Sequence, residues 1–135
     1  MPHPSGLRIV AIHNVSRGAT SADDEWVQIV NDGTERWERH EWELRIEGAP
    51  GRRRSGFRFP IVIPSGGWWS FDPGESIYVF TGNGVDRFIA NPPNGRRPQF
   101  HLYWDRETPQ WTTSGAVACL RDSREALVAE PFPVP

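Results

Sequence analysis

His40-Glu41-Trp42-Glu43-Leu44-Arg45-Ile46-Glu47 sets Trp42, Leu44 and Ile46 on one side of an extended chain and Glu41, Glu43, Arg45 and Glu47 on the other. Side chains two residues apart share a face of a strand, so the stretch is predicted to be a strand with one face packed and the other in water. On both sides of it the chain repeats short apolar runs broken by turn formers, with 13 Gly and 13 Pro in 135 residues. That punctuation suits many short strands, and no window holds an apolar stripe of helical period.

Leu7 to His13 and Glu25 to Val30 are β-branched runs with apolar residues on both faces, expected in the middle of sheets. Asn31-Asp32-Gly33 follows as a turn signal. Phe57-Arg58-Phe59, stopped by Pro60, and then Ile77 to Phe80, Gln99 to Trp104, Ala116 to Arg121 and Ala126 to Ala129 supply further strands. Gly48 to Gly56, Pro64 to Gly74 and Thr81 to Pro98 read as loops, the last long enough to suggest function or mobility. The expected fold is all-β, an immunoglobulin-like β-sandwich of about eight or nine strands over residues 7–130, with tails at 1–6 and 131–135.

At this length one hydrophobic core suffices, and the seven Trp among 12 % aromatic residues let few, large side chains fill it. The single cysteine excludes an internal disulfide, and its setting, Ala118-Cys119-Leu120, reads as a small buried residue. A net charge of −2 argues against a global footprint for nucleic acid or anionic membrane. All the Lys and Arg positions are Arg, which reads as base composition before selection for guanidinium contacts. No charged leader followed by an apolar run is visible, no apolar stretch reaches the ~18 residues of a membrane span, and the compartment stays open.

The order of these pieces resembles the lamin tail domain of nuclear lamins and many bacterial proteins. The resemblance rests on Ile9 and Ile12, then Asp24-Glu25-Trp26-Val27-Gln28-Ile29-Val30-Asn31, Trp42-Glu43-Leu44, Phe57-Arg58-Phe59-Pro60 and Pro73-Gly74-Glu75-Ser76. Tyr78-Val79-Phe80-Thr81-Gly82, Leu102-Tyr103-Trp104, Trp111-Thr112 and Ala118-Cys119-Leu120-Arg121-Asp122 continue it. Asp122-Ser123-Arg124-Glu125 lacks the glycine usual after the aspartate of the last hairpin, and Gly66-Gly67-Trp68-Trp69 is individual to this chain. The resemblance implies an immunoglobulin-like sandwich used for interaction or tethering, with protein and DNA contacts in lamins and no common catalytic residues.

Trp68 and Trp69 lie between Gly67 and Ser70, so an extended chain would turn at least one ring outward, where it can stack on a sugar, a base or a protein; capping an open end of the sandwich is the alternative. Trp37, among Glu35, Arg36, Glu38 and Arg39, is either a second exposed anchor or packed under arginine stems. Arg52, Arg53 and Arg54, with Arg58, Arg96 and Arg97, form either a phosphate-gripping patch or solvated loops. Asp23-Asp24-Glu25 and Asp105-Arg106-Glu107 lack a calcium-loop spacing, His3, His13, His40 and His101 lack a zinc spacing, and no nucleophile-elbow pattern occurs. No cofactor or metal is expected.

The function expected from sequence is a noncatalytic binding or adaptor module that meets a protein or polymeric ligand, such as a glycan or cell-wall polymer, through Trp68, Trp69 and Trp37, with Arg52, Arg53 and Arg54 as a charged rim. Nucleic-acid binding through Arg52, Arg53, Arg54, Arg96 and Arg97 is the alternative, and an enzyme with an unrecognised site the third. Because open sandwiches have edge strands, the state expected is a monomer or weak homodimer.

Overall fold

The computed structural model describes residues 4–37, 42–49, 55–63, 67–68 and 70–135, with main chain alone at Ser55, Gly67 and Trp68. Two sheets stack as a sandwich. The first runs in the order β1 (Leu7–His13), β2 (Trp26–Asn31), β7 (Ser76–Phe80), β9 (Gln99–Tyr103), β8 (Arg87–Ile89). The second runs β11 (Phe132–Pro133), β10 (Val117–Arg121), β3 (Glu43–Glu47), β4 (Ser55–Arg58). β5 (Val62–Ile63) and β6 (Gly67–Trp68) form a small separate hairpin. Among the described strands the pairs are antiparallel except β7 with β9.

The core lies between the sheets and follows the period-2 pattern. Val27, Ile29, Ile77, Val79, Phe100 and Leu102 point inward from the first sheet and meet Leu44, Ile46, Phe57, Ala118 and Leu120 of the second. Trp42, Phe59, Trp104 and Trp111 fill the remaining volume as tilted or edge-on ring pairs, such as Trp42–Phe59 at 5.8 Å and Trp104–Trp111 at 6.2 Å. Edge-to-face contacts of this kind add to the stabilisation from buried area alone.

Glu25 joins three parts of one end of the sandwich from inside. Its Oε1 accepts hydrogen bonds from Thr81 Oγ1 at 2.7 Å, Gln110 N at 2.8 Å and Trp111 N at 3.2 Å. Asn14 and Asn31 do the same for other loops. Asn31 Nδ2 donates to the carbonyls of Glu35 and Phe71, and its Oδ1 accepts from Gly33 N, so the expected turn at Asn31-Asp32-Gly33 pivots on a buried amide.

Several boundaries differ from the sequence reading. The stretch expected as a strand from Ala126 to Ala129 makes only a single bridge, Arg121 to Leu127. The turn before it is held by Asp122, whose Oδ1 accepts from Arg124 N and Ala126 N, while Glu125 takes the left-handed conformation at φ 68° that a glycine would take freely. The closing strand is instead β11, inside the segment expected as a tail, and Val134 beside it is 3 % exposed. β8 forms within the loop expected from Thr81 to Pro98 because β9 offers it a partner; three residues carry no readable period of their own. β1 is an edge strand, not the central one its two apolar faces suggested, and residues 130–135 lie against it.

The polar face of β3 does not simply meet water. Arg45 is 6 % exposed, hydrogen-bonded to Glu43 and Glu125, and Arg121 on the neighbouring strand takes Glu47 at 2.7 Å and 2.9 Å. Cys119, paired in register with Arg45, is buried below this lattice, and burial pushes its thiol up to about 11, which makes it a poor nucleophile. The Arg121 guanidinium holds the Glu47 carboxyl below its ordinary 4.5. A carboxyl lowered on folding stabilises fully above its ordinary value, and that contribution is lost as pH falls through the lowered one. Thermal melts of the wild type and a Glu47→Gln variant should therefore differ most near neutrality, draw together as the pH falls past 4.5 and converge only below the lowered value; a constant difference would show that the ion pair is not what separates them.

Candidate functional site

The outward face of the five-stranded sheet carries a patch of aromatic rings. Cross-strand register builds it: His13 opposes Trp26, Trp26 opposes Phe80, and Phe80 opposes Tyr103, while in the next row Gln28 opposes Tyr78 and Tyr78 opposes His101. All six rings, His13, Trp26, Tyr78, Phe80, His101 and Tyr103, are partly exposed, and alternate residues on the same strands fill the core. Aromatic neighbours across strands stabilise a sheet, yet rings turned to water leave apolar area uncovered.

The rings are packed on one another. Phe80 and Tyr103 stack at 5.2 Å with planes 17° apart, Tyr78 and Phe80 at 6.2 Å and 23°, and His13 and Trp26 at 5.3 Å and 20°. Trp26 meets Tyr78 edge-on at 5.3 Å, and His101 meets both Tyr78 and Phe80 edge-on at 5.7 Å and 5.2 Å. Near-parallel rings at these separations overlap like shingles, so much of each face is turned to a neighbour. On its other side Tyr103 is covered by Gly84, where an added Cβ would lie 2.4 Å from the ring. What the patch offers a ligand is mainly ring edges and the polar tips of tyrosine and histidine.

Polar contacts fix the histidines within it. His13 Nδ1 lies 2.8 Å from the Asp24 carbonyl, which fits a protonated Nδ1 donating. His101 Nε2 lies 2.6 Å from Gln99 Oε1, and its buried Nδ1 has no hydrogen-bond partner among the described residues. Burial, then the Arg87 charge beside it, hold the His101 pKa below its ordinary value, so the ring is neutral at physiological pH. Carboxylates rim one end of the patch: Asp86 accepts from Tyr103 N at 3.0 Å, Asp105 lies near enough to raise the Asp86 pKa further beyond the effect of burial, and Asp23 takes Asn83 N. At the β1 side, Val10, Ala11, Ile12, His13, Arg17, Trp26, Phe132 and Pro135 line a crevice of about 280 Å³, continuous with the patch through His13 and Trp26.

Of the residues singled out from sequence, Trp69, Arg52, Arg53 and Arg54 lie outside the described residues, and Trp68 is placed by its main chain alone, opposite Val62 in the β5–β6 hairpin. Trp37 is half-buried, packed on the core 6.5 Å from Trp42, and its main chain bridges Phe71. Arg96 is exposed, whereas Arg97 pairs with Asp32 at 2.8 Å and Arg8 takes the same carboxylate at 2.6 Å. Arg8 and Arg97 thus meet on Asp32, whose single negative charge offsets one of the two. Among the described residues no group of three His, Cys, Asp or Glu could hold a metal ion, and no helix is long and apolar enough to cross a membrane.

The aromatic patch was missed because each of its strands reads as apolar on both faces. The signal was present as aromatics two apart, Tyr78 with Phe80 and His101 with Tyr103, beside core residues at Val79 and Leu102. No family model matches the sequence, and no curated protein matches it either.

Proposed function

We propose that the chain is a noncatalytic binding module of the lamin-tail type that holds a protein or polymeric ligand through aromatic side chains, with the outward face of the five-stranded sheet as its principal contact surface. The observation carrying this is the six-ring patch, since aromatic residues are enriched where proteins bury surface against partners. A protein ligand suits it better than a glycan or a base, because stacking on a sugar or base needs free ring faces, and these rings turn theirs to one another. The motif order and the two-sheet sandwich support the family reading. Nucleic-acid binding through Arg52, Arg53, Arg54, Arg96 and Arg97 stays the alternative; the carboxylates beside the aromatic patch weigh against phosphate there.

A screen of the purified domain against arrayed peptides, glycans, cell-wall polymers and DNA duplexes, at low and high salt, tests the proposal. Tyr78→Ala and Trp26→Ala should each weaken a salt-resistant hit about thirtyfold, as truncation of a central aromatic anchor does. A hit that dissolves at high salt and ignores both variants would replace this reading with the nucleic-acid one.

A further inference from the structure

Residues 130–135, Glu-Pro-Phe-Pro-Val-Pro, place proline at every second position of the segment that contains β11. The segment bridges β1 once, at Arg8 to Glu130, and then pairs with β10, Phe132 opposite Ala118 and Pro133 opposite Val117. Val134 N donates to Ala116 O at 2.8 Å, so the N–H groups of Phe132 and Val134 point at β10. In an extended chain the odd-numbered positions point the other way, into the space beside β1, and there Pro133 and Pro135 have no N–H to offer. The crevice between Val10, Ala11 and Ile12 on one side and Phe132 and Pro135 on the other is where a ladder between β1 and β11 would otherwise run.

We propose that this segment is an edge guard: it covers the free edge of β1, closes that side of the sandwich, and presents to any further strand an edge stripped of donors, so that a second copy of this chain cannot pair there. Exposed strand edges template pairing between chains, and proline on an edge strand is a means of preventing it. Pairing with β10, the single bridge to β1 and the hydrogen bonds that Pro135 O accepts from Asn14 Nδ2 and Ser16 Oγ then hold the segment down without a strand ladder to β1. The bulge where the β1 register shifts between Ile9 and Ala11 acts in the same direction, by bending the edge that remains.

Pro133 is exposed, so Pro133→Val is expected to fold. It restores one donor toward β1, and two outcomes support the proposal. Either amide exchange in β1 slows roughly fivefold in a monomer, the equivalent of one added hydrogen bond of ordinary strength, or sedimentation shows a concentration-dependent dimer absent from the wild type. Pro131→Val with Pro133→Val should strengthen whichever appears. Pro109→Val, at an exposed loop position, controls for the effect of freeing the unfolded chain and should leave β1 unchanged. Unaltered β1 exchange in a strictly monomeric Pro133→Val protein, or an equal response in the Pro109→Val control, would overturn the proposal.

Discussion

Glu25→Ala should lower the stability of the domain by about 4 kcal/mol, enough to drop its melting temperature by roughly 15 °C for a chain of this size. Glu25 is 1 % exposed, and one carboxylate oxygen takes the hydroxyl of Thr81 and the main-chain N–H groups of Gln110 and Trp111. Truncation leaves the buried Thr81 hydroxyl and Trp111 N–H without this acceptor, each costing about 1–3 kcal/mol, and takes it from the half-buried Gln110 N–H as well. It also releases the segment leading into Trp111, a ring fully buried against Trp104. Against a total of about 5–15 kcal/mol this is a large fraction. Glu25→Gln keeps an acceptor oxygen at the same reach and should cost less than half as much. Chemical denaturation of the three proteins decides it; equal losses for Ala and Gln would mean that charge, not hydrogen bonding, holds this end together.

That same residue shows where the sequence was legible and where it was not. Asp23-Asp24-Glu25 read as one acidic loop cluster, yet Glu25 turns inward while Asp23 stays at the surface beside Gly82 and Asn83. Nothing local separates them. The separation comes from Thr81 and Trp111, which are 56 and 86 residues away. By contrast Trp42, Leu44 and Ile46 declared their face by period alone and are all buried, and Leu7–His13 forms β1 with the bounds its composition gave.

Features that need several strands were harder to read. The aromatic patch requires the registers of β1, β2, β7 and β9 together, including a parallel pairing between β7 and β9 that no turn signal announces. Viewed strand by strand, Tyr78 and Phe80 are merely apolar residues on a strand whose other face is also apolar. Residues 131–135 read as a tail because the run of recognisable motifs ends before them, and proline is barred from a ladder only in a strand paired on both sides. At a strand paired on one side, the same residues fit.

Gly6→Ala should cost about 3–5 kcal/mol, although it adds one methyl group near the surface. Gly6 sits at φ 78°, and a Cβ there would lie 2.3 Å from Gly33 Cα and 2.6 Å from Gly33 N, distances at which the main chain itself must move. The two glycines join the start of β1 to the turn after β2: Asp32 N donates to Gly6 O at 2.9 Å, and Ser5 Oγ donates to Val128 O at 2.7 Å. Separating them would shift Leu7, which is fully buried at the head of β1, out of register with Asn31. Gly115 supplies the internal comparison, because its φ is 90° and an added Cβ would meet nothing within 4 Å. Gly115→Ala should therefore cost only the left-handed strain, about 1–2 kcal/mol, and the excess at Gly6 measures the main-chain contact. Denaturation midpoints that moved equally in the two variants would show that the Gly6–Gly33 joint relaxes at no cost, and that the start of β1 is held by Ser5 and the strand ladder alone.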